Sequence, residues 1–169
     1  MDGLGNPPIV PCAKARPDRG AVRPVTAPPC FSPEIEVAFS PHGGAEARVL
    51  KTIESAQKSI RVAAYRFTSK PIALSLLAAH KRGIDVRVVV DKSNATARYT
   101  AAIFLANQAV PVRVDYRYAI MHNKFIVVDG ESVETGSFNF TSSGASKNAE
   151  NVVVLHDREV AQRLRAGMG

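Results

Sequence analysis

The sequence predicts an α/β domain in which a mixed β-sheet is flanked by helices on both faces. From residue 34 onward, apolar stretches with the two-residue period of strands alternate with stretches of helical period. One stretch, 84–90, is apolar almost throughout, which is typical of a strand buried on both faces of a sheet. After residue 110 the pattern becomes a run of strands. A β-α-β-α-β-α order followed by several strands indicates a mixed sheet rather than a purely parallel one.

Local patterns define the individual elements. Residues 34–39 alternate polar and apolar side chains, as a half-buried strand does, and 45–56 repeat apolar residues at helical spacing. Pro71 suits the first turn of a helix, and Asp129-Gly130 predicts a tight turn between two strands. The predicted strands are 34–39, 59–67, 84–90, 111–114, 124–128, 132–135 and 151–155, and the predicted helices are 45–56, 71–81, 96–107 and 158–166.

Residues 1–33 differ from the rest of the chain. They are rich in proline and carry little periodic apolar pattern, which predicts a disordered leader or linker ahead of one domain over 34–169. Both cysteines, Cys12 and Cys30, lie in this segment, and the sequence leaves open whether they pair or remain free thiols. The first residues lack the basic and apolar regions of a secretory signal peptide, so the location stays open.

The charge balance favours a polyanionic partner. The 169 residues contain 22 Lys and Arg against 15 Asp and Glu, a formal net charge of +7. The sequence pI is about 9.7. Nucleic acid and an anionic membrane surface are the two classes of partner that such a balance attracts.

The chemistry is concentrated between Met121 and Glu150. His122 and Lys124 stand two residues apart at the head of an apolar strand, so their side chains share one face. An imidazole can attack phosphorus or protonate a leaving oxygen, and an adjacent ammonium offsets charge on phosphoryl oxygens. Ser137 and Asn139 repeat this spacing and offer a hydroxyl and an amide to a phosphate.

Two carboxylates accompany these residues. Glu150 immediately precedes the last predicted strand and is a candidate acceptor for the second imidazole N–H, which would fix the tautomer of His122. Asp129 stands in a turn dipeptide with Gly130, which favours a structural role over a direct one in catalysis. The two cysteines lack metal-ligand spacing.

The motif His122-x-Lys124-x4-Asp129 followed by Gly136-Ser137-x-Asn139 resembles the signature of the phospholipase D superfamily, and the wider run is similar to its small bacterial endonucleases. The resemblance extends over about 34–155. It implies a three-layer phospholipase D/nuclease-like sandwich and a metal-independent phosphodiesterase without a cofactor. Relatives of this type are often periplasmic or secreted.

The resemblance also implies how the site works. Larger members carry the motif twice, whereas this chain carries it once, so two copies are expected from a homodimer. One His122 would form a phosphohistidine and the other would protonate the leaving oxygen. Lys124, Asn139 and Ser137 would bind the phosphate, Glu150 would orient the imidazole, and Asp129 would match the acid of the motif.

Three functions remain open on the sequence. The first is hydrolysis of DNA and RNA without sequence specificity. The second is a phospholipid phosphodiesterase with a membrane lipid as its partner, which needs an exposed apolar docking surface that the sequence does not reveal. The third is a nucleic-acid-binding module of the same fold with weak catalysis, against which the intact His122, Lys124 and Asn139 argue.

Overall fold

A seven-stranded mixed sheet is the centre of the computed structural model, which describes residues 34–96 and 100–168. The predicted leader over 1–33, with both cysteines, lies outside the described residues and stays a prediction. The strands are β1 (Ile35–Ser40), β2 (Ser59–Ala64), β3 (Asp85–Asp91), β4 (Val112–Asp115), β5 (Lys124–Val128), β6 (Ser132–Gly136) and β7 (Glu150–Leu155).

The strand order is β1-β7-β6-β5-β2-β3-β4. Strands β2, β3 and β4 are parallel, as expected for strands joined by helical crossovers. Strand β5 pairs antiparallel with both β2 and β6, and β7 pairs antiparallel with β6 and β1. The predicted change from β-α-β units to a run of strands therefore forms one sheet with a parallel half and an antiparallel half.

Helices cover both faces of this sheet, as predicted. They are α1 (Ala45–Glu54), α2 (Lys70–Lys81), α3 (Ser93–Thr96), α4 (Ala101–Asn107), α5 (Ser142–Ser146) and α6 (Arg158–Ala166). The larger core contains α1, α2 and α4 together with sheet residues such as Val62 and Ile126. On the opposite face, Ala161 of α6 packs with Phe125 and Val127 of β5. Because strand side chains alternate, β5 supplies both cores and all five of its residues are buried.

The prediction of one helix over 96–107 is wrong. The structure has two short helices here, α3 and α4, and the second begins after Thr100. The Thr100 hydroxyl accepts a hydrogen bond from the Ile103 N–H at 3.2 Å, which caps a new helix instead of continuing one. Helix α5 was not predicted. Its composition, Ser-Ser-Gly-Ala-Ser, has no apolar period, and Thr141 caps it by accepting from Gly144 N–H at 3.0 Å.

One boundary error bears on function. The predicted strand 59–67 ends at Ala64, and Tyr65 leaves the regular ladder while its N–H still donates to the Asn123 carbonyl at 3.0 Å. This contact ties the end of β2 to the residues immediately before β5. The carboxyl ends of β2, β3, β4 and β6 and the amino ends of β5 and β7 therefore share one edge of the sheet.

Candidate active site

His122 and Lys124 are in direct contact at this edge, as the sequence predicted. His122 lies just before β5 with an exposed side chain, and Lys124 is the first residue of the strand and is buried. The Lys124 ammonium is 3.2 Å from Nδ1 and 3.4 Å from Nε2 of the imidazole, and it donates to the His122 carbonyl at 2.9 Å. The pair thus presents one nucleophilic ring and one positive charge together.

Burial sets the electrostatics of this pair. Removal of the Lys124 ammonium from water lowers its pKa, and the negative charge of Glu150 opposes that shift. The carboxylate is therefore close enough to act on the ammonium. The charge of an ammonium in this setting is screened less than at an exposed position.

Tyr65 completes the wall behind the imidazole. Its ring centroid is 4.4 Å from that of His122 with an interplanar angle of 50°. The Lys124 ammonium lies 5.2 Å from the same centroid and the Arg66 guanidinium 5.3 Å, both within the range of a cation–π contact. Sequence reasoning missed this residue. Its signal is positional, because Tyr65 directly follows a strand that pairs with β5.

Ser137 and Glu150 form the second cluster. The Ser137 hydroxyl donates to Glu150 Oε2 at 2.7 Å and accepts from the Asn151 backbone N–H at 3.0 Å. The Asn148 amide donates to Glu150 Oε1 at 3.0 Å. Both carboxylate oxygens are thus engaged, and the Ser137 hydroxyl is held at the end of β6.

Gly136 makes this cluster possible. Its φ is +155°, and a Cβ at this position would lie 2.2 Å from the Asn151 carbonyl oxygen, so only glycine fits between the two strands. Phe125 pairs with Thr135, and the next position in the same register, toward this edge, places Gly136 beside Lys124. The Thr135 hydroxyl also donates to the Lys124 carbonyl at 3.1 Å.

Asn139 lies on the same segment, two residues after Ser137. Its Oδ1 is buried and has no hydrogen-bond partner among the described residues. A buried amide oxygen without a partner is costly and is common where a ligand or water completes the set. An amide oxygen only accepts, so a phosphate oxygen would be bound by Nδ2 of this amide, and the role of Asn139 in phosphate binding stays a prediction.

The expected hydrogen bond between Glu150 and the His122 imidazole is absent from the described structure, where the two Glu150 oxygens accept from Ser137 and Asn148. Asp129 stands apart from the site at the far end of β5, about 16 Å along the strand from Lys124. Its carboxylate accepts the backbone N–H groups of Gln57, Lys58 and Ser59 at 2.7–2.8 Å. These contacts agree with the structural role that the turn position of Asp129 favours.

The fold and the paired motifs agree with the family comparison. The family model described as "Cardiolipin synthase, PLD-like domain" matches residues 49–168, which is more than half of the chain. The chain belongs to the phospholipase D superfamily. The predictions of the family and of the fold class are confirmed.

Among phospholipase D superfamily structures, that of Nuc from Salmonella typhimurium, a phospholipase D family member, is 43% identical. The match covers 80% of this chain and 91% of that one with a TM-score of 0.77. The structure of NucT from Helicobacter pylori covers 79% and 92%, with a TM-score of 0.69 and 23% identity, and supports the fold alone.

Among superfamily sequences, phospholipase D of Rickettsia prowazekii is 36% identical over 76% of this chain and 62% of its own length. The mitochondrial cardiolipin hydrolase of Xenopus tropicalis is 34% identical over 79% and 60%. The chain thus spans about three fifths of the length of these two relatives.

No helix in the described ranges is long and apolar enough to cross a bilayer.

Proposed function

We propose that the chain is a metal-independent nuclease that hydrolyses DNA and RNA without sequence specificity, with its active site at a homodimer interface. The observation that carries this proposal is the contact between the His122 imidazole and the Lys124 ammonium at 3.2 Å, on the edge that also holds Ser137 and Glu150. The net charge of +7 suits a polyanionic substrate. The 43% identity to Nuc supports the same class.

The reaction needs two histidines with opposite protonation states. In the first step a ring nitrogen of His122 attacks phosphorus, the P–N bond forms, and the P–O bond to the leaving oxygen breaks. The leaving oxygen takes a proton from the partner subunit's His122. In the second step that histidine removes a proton from water, the water oxygen bonds to phosphorus, and the P–N bond breaks. One imidazole cannot be nucleophile and acid at the same moment, so a second copy is required.

The other residues act on charge and position. Lys124 offsets the negative charge on the phosphoryl oxygens, and burial makes that interaction stronger than it is in water. The Asn139 amide offers an N–H donor to the same oxygens, and Ser137 offers its hydroxyl once that group turns from Glu150 to the phosphate. Glu150 holds Ser137 through its 2.7 Å hydrogen bond and balances the charge of Lys124.

Plasmid digestion in excess EDTA tests the chemistry. We expect the wild type to cut supercoiled and single-stranded DNA and His122→Ala to be inactive. A matched control is His156→Ala, since His156 is also a solvent-accessible histidine but contacts Ser132 and Glu36 away from the site. Loss of wild-type cleavage in EDTA with recovery on adding Mg²⁺ would overturn the mechanism.

A second candidate is a phospholipid phosphodiesterase. The relatives named phospholipase D and mitochondrial cardiolipin hydrolase favour it. The structure also exposes apolar side chains that the sequence did not reveal as a surface, among them Ile35, Val37 and Phe39 on β1. Release of headgroup from cardiolipin-containing vesicles by the wild type, without cleavage of DNA or RNA, would select this alternative.

A further inference from the structure

A cleft of about 450 Å³ lies beside His122 and Lys124, between the end of β3 and the loop before β5. Tyr65, Lys92, Tyr116 and Ile120 are among its lining residues. Lys92, Tyr116 and Ile120 lie outside the two motifs His122-x-Lys124-x4-Asp129 and Gly136-Ser137-x-Asn139. The cleft is open to solvent and large enough for a planar group of nucleobase size.

Tyr65 connects the cleft to the reaction centre. The same ring that lines the cleft has its centroid 4.4 Å from that of His122. A group bound in the cleft would therefore be one aromatic ring away from the attacking nitrogen. This distance suits the base of a nucleotide next to the phosphate under attack, because a base and its own phosphate are joined through one sugar.

The lining has the chemistry that recognises an unpaired base. Tyr116 is 68% exposed and Ile120 is 55% exposed, so two large apolar surfaces face solvent at the mouth of the cleft. The Lys92 ammonium lies at the same mouth, 3.4 Å from the Tyr118 carbonyl. Flat aromatic faces beside a cation are the usual platform for single-stranded nucleic acid, because every base has a π-face and every nucleotide a phosphate.

The cleft also contains two charged residues. The buried Asp91 carboxylate lines its floor, where it accepts the backbone N–H groups of Met121 at 2.8 Å and Ser93 at 2.9 Å. Asp91 and Lys92 thus add polar groups to a lining that is otherwise mostly apolar. A base with polar edges can hydrogen-bond to such groups while its face stacks.

We propose that this cleft binds the nucleobase next to the scissile phosphate and makes the enzyme favour unpaired nucleic acid. The inference rests on the proposed nuclease function. In a duplex each base is stacked and paired, so entry into the cleft costs the energy of unstacking, whereas a single strand offers its bases freely. His122 and Lys124 cleave the backbone, and the cleft makes cleavage of single strands more favourable than cleavage of duplexes.

Matched substrates and matched variants test this. The substrates are a 20-mer of thymidylate and a 20-mer of abasic tetrahydrofuran nucleotides, which share a phosphate backbone and differ in the presence of bases. The variants are Tyr116→Ala, Tyr116→Phe and Tyr118→Ala. Tyr118 is the control, because it is 54% exposed on the same loop but does not line this cleft.

We expect Tyr116→Ala to raise KM for the thymidylate 20-mer about tenfold, a loss typical of one stacked base. KM for the abasic 20-mer should stay unchanged, and Tyr116→Phe and Tyr118→Ala should match the wild type on both. Equal effects of Tyr116→Ala on the two substrates, no effect on either, or a shift from dimer to monomer in light scattering would overturn the inference. A wild type that cuts neither strand would instead reject the proposed function itself.

Discussion

The Tyr65 ring lies against the His122 imidazole, with centroids 4.4 Å apart and the Lys124 ammonium 5.2 Å from the tyrosine ring. The imidazole thus lies against an aromatic ring, whereas the Glu150 carboxylate accepts hydrogen bonds from Ser137 and Asn148. Such a contact restricts rotation of the imidazole, whose nitrogens lie 3.2 and 3.4 Å from the Lys124 ammonium.

The first prediction concerns this contact. Tyr65→Ala should lower kcat about tenfold or more with a smaller effect on KM, because the imidazole loses its fixed orientation. Tyr65→Phe should keep kcat within about twofold, since the contact is made by the ring. Steady-state kinetics on a single-stranded oligonucleotide measures both. If the phenylalanine variant is as impaired as the alanine variant, the stacking role is wrong and the hydroxyl is what matters.

The second prediction is an alkaline limit to activity. Lys124 must be protonated to offset phosphoryl charge, and burial holds its pKa below the usual 10.5. The rate, kcat/KM, should therefore fall on the alkaline side with a midpoint below that of an ordinary lysine. Lys124→Arg should move this limb to higher pH, because guanidinium stays charged. An unchanged limb in the arginine variant would assign it to another group.

The third prediction separates Asp129 from catalysis. Burial alone would raise its pKa, but the N–H groups of Ser59, Gln57 and Lys58 outweigh burial and lower it. A carboxylate with a lowered folded pKa contributes stability that is present above its unfolded value and is lost as pH falls through the folded pKa.

Asp129→Asn should therefore lower the free energy of unfolding by about 1–3 kcal/mol at pH 7, with the deficit shrinking below the usual value of 3.8. Denaturant unfolding at several pH values measures this. The kcat of the folded variant should equal that of the wild type, and a loss of kcat without loss of stability would restore a catalytic role.

The periodicity of the sequence predicts some of these features and not others. The contact of His122 with Lys124 follows from the two-residue period of a strand, and the role of Asp129 follows from its turn dipeptide. Tyr65 was not predicted because its partner is 57 positions away and meets it only through the pairing of β2 with β5. The cleft likewise joins β3 to a loop some 25 residues later, a juxtaposition set by sheet order.

The alternation of polar and apolar residues also fails to predict the burial of Glu134. Alternation in β6 assigns it to a polar face, yet the structure buries it between Ile126 and Val154 of the neighbouring strands, with Oε2 lacking a partner among the described residues. A central strand has core on both faces, so period two does not distinguish inside from outside there.

Glu134 gives the fourth prediction. Burial raises its pKa from 4.5 to about 8, so the folded protein holds a proton that the unfolded chain releases. Stability is then greatest below pH 4.5 for this group and is lost as pH rises toward 8. Glu134→Gln should be more stable than the wild type at pH 8, on the order of 2–4 kcal/mol, since one pKa unit is about 1.4 kcal/mol. Parallel unfolding curves for the two proteins at pH 5 and pH 8 would contradict this.

The fifth prediction addresses the two-fold site. If each phosphate is cleaved between two copies of His122, a heterodimer with one His122→Ala subunit has a nucleophile without its acid, or an acid without its nucleophile. After subunit exchange of equal amounts of wild type and His122→Ala, about half of the wild-type subunits are paired with an inactive partner. Activity per wild-type subunit should fall to about half, whereas His156→Ala in the same experiment should cause no loss. Sites that work within single subunits would keep full activity per wild-type subunit at every mixing ratio, and that result would reject a shared active site even if the protein is dimeric.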